Sequence, residues 1–527
     1  MMRMNNTLIP IGWAKCFLGD VLVVKNGYAF KSTDYSSEGI PLIRISDIQN
    51  GKVSTLNSAL IPQNKANFDF LIETGDLLIA MSGATTGKIG VYEGLHPCLQ
   101  NQRVGNFKIY SKDLLDKKFR NFYVDSLRKQ IEITAYGGAQ PNISSSLLEG
   151  FEILLPPLNE QRRIVAKLEK LLAKVDTCKE RLDKIPGILK RFRQSVLSAA
   201  CSGRLTADWR ENNPDVESAE ELLKRIQERR FNQVGTVAQR HKINEIYSYK
   251  EEEESDLLPK NWRYIALDKL CSSCQYGTSA KSLKSGQVAV LRMGNIQNGN
   301  IDWTELVYTS DLKEIEQYKL IPGDVLFNRT NSPELVGKTA IYRGEFPAIF
   351  AGYLIKINNY EELDSEYLNY CLNTPYAKKF CLSVKTDGVS QSNINAQKLG
   401  KFEVSFCPLQ EQQEIVRRVQ TLFKTADQIE QRYQKARTYI DQLTQSILAK
   451  AFRGELVSQD PNDEPASVLL ERIRAERENR ENVAKTAKKP AANKKQRSKK
   501  AQPQLEPTPQ LEPTPQSEPI QLELPLF

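Results

Sequence analysis

Apolar residues recur along residues 158–202 at Ile164, Leu168, Leu171, Val175, Cys178, Leu182, Ile185, Leu189, Phe192, Val196 and Ala199, in steps that alternate four and three. A straight α-helix repeats every 3.6 residues, so a seam held at 3.5 over this length stays buried only by winding on a partner helix. The same seam returns 251 positions later, at Ile415, Val419, Leu422, Ala426, Ile429, Tyr433, Ala436, Ile440, Leu443 and Ile447, with Lys450 its one charged member. Both stretches open on Pro-Leu-x-Glu-Gln (157–161 and 408–412) and close on Gly-x-Leu (203–205 and 454–456), with no gap between the copies. Ordinary globular helices run about 8–20 residues and carry a wider apolar stripe. These two predict a coiled-coil spacer instead, with a rise of about 67 Å from 158 to 202. Pro186 interrupts the first copy where Arg437 stands in the second, which predicts a kink or break that the second helix need not share.

Residues 1–157 alternate short strand-like runs, such as Pro41 to Ile45, Asp76 to Ala80 and Lys88 to Tyr92, with Gly-containing turns, and they predict a mixed α/β domain with a helix at about 113–133. Its landmarks return in residues 259–408. Trp262 answers Trp13, Leu291 to Gly299 answers Ile43 to Gly51, Gly323-Asp324-Val325-Leu326 answers Gly75-Asp76-Leu77-Leu78, and Asp387 to Ile394 answers the loop Gly137 to Ile143. The polar stretch 204–258, with a short helix near 218–230 and the acidic run Glu251 to Glu254, predicts a linker. A related segment follows the second helix, since Leu222 to Ile226 is matched by Leu469 to Ile473. The expected order is thus a first domain (1–157), a long helix (158–203), a linker (204–258), a second domain (259–408), a second long helix (409–454), a C-terminal helical segment (455–481) and a tail (482–527). A pseudo-two-fold across the helices would make them antiparallel, but a linker of about 55 residues spans well over 100 Å when extended, so connectivity also permits a parallel pair.

Composition changes this picture little. The 527-residue chain carries a net charge of +9, yet residues 482–500 hold eight positive charges and no acid, and residues 501–527 hold four acids and no base. The remainder is only +5, compatible with nucleic-acid binding without establishing it. The tail, Lys-rich and then Pro/Gln/Glu-rich, predicts disorder. Its ending Gln521 to Phe527 resembles short peptides that dock on bacterial sliding clamps, a weak expected contact. No signal pattern and no apolar run of membrane length occurs, so a cytoplasmic protein with no membrane partner is expected.

Catalytic chemistry is hard to assemble from this chain. Two histidines, His96 and His241, stand in unrelated settings, which argues against His-based metal sites and Ser-His triads. Cys271 and Cys274 have zinc-knuckle spacing but no second pair nearby. Residues 332–339 nearly match a phosphate loop, but Ser332 replaces its first Gly and strand-like residues follow, so a polar turn between strands fits better. No methylase or nuclease motif is found. The expectation is a chain that is not an enzyme, with no catalytic residue, metal or cofactor of its own.

The doubled set of Trp openings, Gly-Asp-x-Leu strands, loops ending Asn-Ile, Pro-Leu-x-Glu-Gln helix starts and Gly-x-Leu helix ends resembles the specificity subunit of type I restriction-modification systems, over about 10–230 and 258–477. The resemblance implies an α+β fold: two mixed α/β target-recognition domains separated by a pair of long antiparallel coiled-coil helices, in a pseudo-two-fold tandem duplication. It implies that each domain reads one half of a bipartite, asymmetric site in double-stranded DNA. The implied partners are two modification subunits that methylate adenine and restriction subunits that translocate and cleave; S-adenosylmethionine, ATP and Mg belong to those partners. Two alternatives stand beside it: the recognition part of a fused restriction-methylase, and a noncatalytic coiled-coil adaptor without DNA binding.

Within that resemblance, the polar loops that differ between matched halves are the candidate DNA-binding residues. They are Ser82, Thr85, Thr86, Lys88, Gln100, Asn101, Gln102, Arg103, Gln140 and Asn142 in the first domain, and Asn328, Arg329, Thr330, Asn331, Lys338, Ser390, Gln391 and Asn393 in the second. Amides can read adenine edges, Arg can read guanine, and Lys mostly neutralises phosphate. Arg44 and Arg292 occupy matched positions, which favours a shared structural or phosphate role over base readout.

Overall fold

The computed structural model describes residues 9–136, 141–248 and 258–488. The chain divides into two compact units, one made of the chain up to Ala173 and from Leu443 onward, the other of Lys174–Gln442. Each unit contains one α/β domain, the start of one long helix and the end of the other.

The first long helix runs Leu158–Asp183 and resumes as Ile185–Cys201. The break falls at Lys184, just before Pro186, whose ring and missing N–H are tolerated in a first turn but not in a helix interior. The second long helix, Leu409–Phe452, is continuous and about 66 Å long. In the second unit the two helices are antiparallel. Lys179 pairs with Asp441 (3.5 Å), Asp183 with Arg437, and Arg193 with Asp427 (2.7 Å) and Glu430 (2.9 Å), so numbers rise along one helix as they fall along the other. Exposed pairs of this kind contribute at most about 1 kcal/mol each; they fix register. The seam itself is partly covered, with Leu189 and Ala426 buried and Phe192 and Ile429 more than a third exposed.

The first domain is built on a six-stranded sheet in the spatial order Leu22–Asn26, Val104–Ile109, Leu77–Ala80, Ile89–Val91, Gly51–Val53 and Ile48–Gln49. Beside it lies a four-stranded sheet, Ala59–Ile61, Ile40–Ile43, Cys98–Gln100 and Leu71–Ile72. The second domain repeats the central parts of both, as Cys271–Tyr276, Leu354–Asn359, Val325–Asn328 and Thr339–Ile341, and as Val307–Thr309, Val288–Leu291 and Ala348–Phe350. Both strands that follow the Gly-Asp landmark are buried along their whole length, as their apolar runs Leu77 to Ala80 and Val325 to Phe327 require. Asn50-Gly51 and Asn298-Gly299 turn their hairpins with positive φ at both residues (52° and 78°; 51° and 81°), the backbone a two-residue hairpin demands.

One arrangement ties each domain to its helix. The indole N–H of Trp13 donates to Glu160 (2.9 Å), and that of Trp262 to Glu411 (2.8 Å), all four residues being buried. The neighbouring Gln161 donates to the Pro156 carbonyl (3.0 Å) and accepts from the Asp116 N–H (3.2 Å). Gln412 does the same with Cys407 (2.8 Å) and Asp364 (2.8 Å). Asp116 and Asp364 in turn cap the helices Lys117–Ser126 and Ser365–Leu372 through their carboxylates. The Glu-Gln pair in each helix start is thus the fastener between helix and domain.

The stretch after each long helix is more than a linker. Gly203 and Gly454 end the helices in the left-handed region (φ 75° and 77°), and a Cβ there would fall 2.5 Å from Pro259 and Pro10 respectively. The chain then packs back on a domain. Helix Ala219–Asn232 buries Ala219, Leu222 and Ile226 in the core that holds Trp262, and the Ala219 N–H donates to the Asn261 carbonyl (3.1 Å). Helix Ala466–Lys488 buries Ala466, Leu469 and Ile473 in the first unit, with the Ala466 N–H on the Gly12 carbonyl (2.8 Å). The expectation of a linker over 204–258 with one short helix is corrected accordingly: Ala207–Glu211 and Val237–Ser248 are also helical. The expected helix at 113–133 is two, Lys117–Ser126 and Arg128–Ala135. The last helix extends past 482 to Lys488, and the rest of the expected tail, with Gln521 to Phe527, lies outside the described residues.

The two fasteners differ in charge balance. Glu411 also accepts from Thr206 (2.6 Å) and pairs with Arg210, whereas burial holds the Glu160 carboxyl above its ordinary range, against the opposing effect of its bonds to Trp13 and Gln459. A folded-state pKa above the unfolded value contributes stability below the unfolded pKa that is lost as pH rises through the folded value. Glu160→Gln removes that loss and is expected to stay within about 1 kcal/mol of the parent at pH 7, with its relative stability improving from pH 4 to pH 7. Glu411→Gln strands Arg210 and is expected to cost about 2 kcal/mol. Urea unfolding across this pH range checks both.

Candidate nucleic-acid interface

Each domain brings three loops together on one backbone frame. In the first, the Met81 N–H donates to the Arg103 carbonyl and the Met81 carbonyl accepts from the Ile143 N–H, both at 2.9 Å. In the second, the Arg329 N–H donates to Tyr353 and the Arg329 carbonyl accepts from Ile394, again at 2.9 Å. Ser82 bridges to Asn142 in one domain, as Thr330 pairs with Asn393 in the other. Gly27 and Gly277 pack against the backbone that leads into the loops at 103 and 353. A Cβ on either would lie 2.2 or 2.3 Å from a carbonyl oxygen of the facing loop, so only glycine fits.

On this frame, Ser82, Asn142, Gln102 and Arg103 of the first domain cluster with Asn101, whose side chain accepts the Arg103 N–H at 3.3 Å. Gln102, Arg103, Asn142 and Lys88 are exposed, and Thr85 is half-buried, with its hydroxyl 3.4 Å from the Ile45 carbonyl. Gln140 lies outside the described residues. In the second domain Arg329, Thr330 and Asn393 form one cluster: Arg329 donates to Asn393 (3.3 Å), and Asn393 donates to Thr330 (2.7 Å). Ser390 and Gln391 sit exposed at the tip of the hairpin between Thr386–Asp387 and Ser392–Asn393, beside the fully exposed Val389. The half-buried Asn331 caps its own turn by accepting the Ser332 N–H (2.8 Å). Lys338 donates to Gln297 (2.8 Å), and burial together with Lys378 lowers its pKa from the ordinary lysine value. A cleft of about 760 Å³ adjoins this cluster, lined by Arg292, Met293, Asn295, Gln297 and Tyr353.

Three candidates are corrected by their surroundings. Gln100 is buried and spends its amide on the Lys25 and Val104 carbonyls (2.7 and 2.8 Å). Thr86 is buried, with its hydroxyl donating to the Gly83 and Pro141 carbonyls (2.6 and 3.1 Å). Asn328 is wholly buried and donates to the Met293 carbonyl (3.3 Å). Such groups hold loops together and present no edge to a ligand. Arg44 and Arg292 share a structural role, each clasping the carbonyl thirteen residues on, at Asn57 (2.9 Å) and Glu305 (3.1 Å). Tyr276 and Tyr353 are residues that sequence comparison overlooked. They are aromatic in one half only, which was the available signal.

Among the described residues, no group of three or more His, Cys, Asp or Glu is placed to hold a metal ion, and no helix is long and apolar enough to cross a membrane. Strand Thr339–Ile341 follows the phosphate-loop-like run, where a nucleotide site needs a helix. What the fold offers is two copies of one loop frame carrying different polar side chains, the construction of a tandem recognition protein.

The family profile described as the type I restriction modification DNA specificity domain matches residues 10–186 and 259–437. The chain is 32% identical over 494 residues to the type I restriction enzyme EcoBI specificity subunit of Escherichia coli, covering 90% of this chain and 94% of the relative. It is 30% identical over 499 residues to the StySPI specificity subunit of Salmonella potsdam, covering 90% and 97%. Among solved structures, the HsdS subunit from Thermoanaerobacter tengcongensis shares its fold (TM-score 0.51, 19% identity, 86% of this chain and 99% of that one). A chain from a type I restriction-modification complex superposes at TM-score 0.60 with 19% identity, over 85% and 99%. The chain belongs to the family of type I restriction-modification specificity subunits.

Gln100 separates structural from recognition roles. Gln100→Leu takes the amide donor from the buried Val104 carbonyl and the part-buried Lys25 carbonyl and is expected to lower stability by about 2 kcal/mol in urea unfolding, while the DNA sequence selected by the protein stays the same.

Proposed function

We propose that this chain is the noncatalytic DNA-recognition subunit of a type I restriction-modification complex in the cytoplasm, each domain reading one half of a bipartite, asymmetric site in double-stranded DNA. The observation that carries this is the matched loop frame, held by the same backbone hydrogen bonds in both domains and bearing Met81, Ser82 and Arg103 in one but Arg329, Thr330 and Tyr353 in the other. Conserved geometry with altered side chains is what two readers of unlike half-sites require. The long helices would set the gap between halves, as dimer spacing does in symmetric repressors.

The chain works with two modification subunits, which use S-adenosylmethionine to methylate adenine, and with restriction subunits that use ATP and Mg. It brings none of these cofactors itself. A weak sliding-clamp contact through Gln521 to Phe527 rests on the sequence alone.

Methylation mapping in cells carrying this chain and its modification subunit tests the proposal. Deleting the chain should erase methylated adenines from one split motif, and exchanging residues 1–157 for those of a relative should change one half of that motif while the other half and the gap persist. A methylation pattern indifferent to the chain would refute it.

A further inference from the structure

Arg329 occupies an unusual setting. Its guanidinium lies over the Tyr276 ring, 4.7 Å from the centroid, and the Tyr276 hydroxyl is itself fixed by the Ala396 N–H (2.9 Å). Two further bonds, to the Gly352 carbonyl and to Asn393, are both long at 3.3 Å, and the buried Nε has no partner. Among the described residues no carboxylate pairs with it, although most of the half-buried arginines of this chain have one, as Arg210 has Glu411 and Arg418 has Asp208. A partly buried cation that is oriented, aromatic-backed and left without an acid is prepared for an acceptor from outside the chain.

The matched position in the first domain is Met81, which is buried. The backbone bonds around the two residues are the same, so the frame accepts either side chain and the difference is one of function. A planar fork of N–H donors fits the paired O6 and N7 acceptors of guanine in the major groove. We propose that Arg329 reads a guanine in the half-site of the second domain, and that the first domain has no such reader at Met81. This rests on the recognition role proposed above. Asn393 accepts from the guanidinium and is itself held by its bond to Thr330, which fixes the plane.

The test uses the full complex with its modification subunits. Mapping first defines the wild-type split motif. Arg329→Met, a side chain the matched frame already accommodates, and Arg329→Lys, which keeps the charge but loses the fork, are then mapped in parallel. The expected result is relaxation at one G·C pair of the second half, with preference there falling about 5- to 150-fold, while the first half stays fixed and reports that the variant folds and assembles. In vitro, 7-deazaguanine at that position, which removes N7, should slow methyl transfer by the wild type and not by Arg329→Met. A second half lacking any G·C pair, or full preference kept by both variants, would overturn the assignment and leave the recognition role intact. So would a uniform loss across all sequences, the signature of a phosphate contact. Absence of any chain-dependent motif would instead sink the recognition role itself, and this assignment with it.

Discussion

Everything else in this protein depends on a buried hydrogen bond between an indole and a carboxylate. Trp13 with Glu160 and Trp262 with Glu411 join the opening strand of each domain to the first turn of the helix that leaves it. A buried carboxylate is costly unless its oxygens are satisfied, so the bond constrains the angle at which the helix departs. The adjacent Gln161 or Gln412 tightens that constraint by reaching both the preceding backbone and the capping residue of a domain helix. A spacer is useful only when its ends cannot rotate freely, and these few residues supply that rigidity.

The two copies satisfy the same constraint with different chemistry. In the second unit Arg210 and Thr206, just beyond the helix end, complete the shell of Glu411. In the first, Gln459 from the C-terminal stretch donates to the Gly454 carbonyl (2.6 Å) as Arg210 does to Gly203 (2.6 Å), and the carboxyl there is left with the weaker set of partners. Arg163, one turn along the first helix, binds Asp463 instead (2.6 Å), so a cation is present but displaced. Duplicated halves can drift in this way because the geometric requirement is met by several sets of side chains, provided the indole keeps its bond to the carboxylate.

The helices and the repeat of domain landmarks were legible because each rests on periodicity or on recurrence, which a single chain displays against itself; the antiparallel pairing followed only from the family resemblance, since the linker length permits either direction. The role of Ala219–Asn232 and Ala466–Lys488 was less legible. Their three and four buried residues sit among charged ones, and only the tertiary contact with a domain opening such as Trp262 makes them core. Sheet connectivity was not legible either, since strands of two to six residues carry too little pattern to choose neighbours. In the interface, loops 81–88 and 328–338 were identifiable by their divergence, but divergence alone also selected Gln100, Thr86 and Asn328.

Those three show what divergence lacks as a criterion. A polar residue that changes between matched loops can be changing its internal partner, as Gln100 does where Phe350 stands in the second domain: the amide bonds two carbonyls, while the ring fills a core with Tyr318. Divergence becomes informative about a ligand only when the backbone around the position is held constant and the side chain is left short of partners inside the protein. Position 329 meets both conditions, and position 103, exposed at the place that Tyr353 takes in the second domain's frame, meets the first. The polar groups that face outward are therefore few. Each domain can discriminate with a handful of side chains because the costly part, three loops joined by the same backbone bonds beside a glycine that leaves no room for a Cβ, is built alike in both.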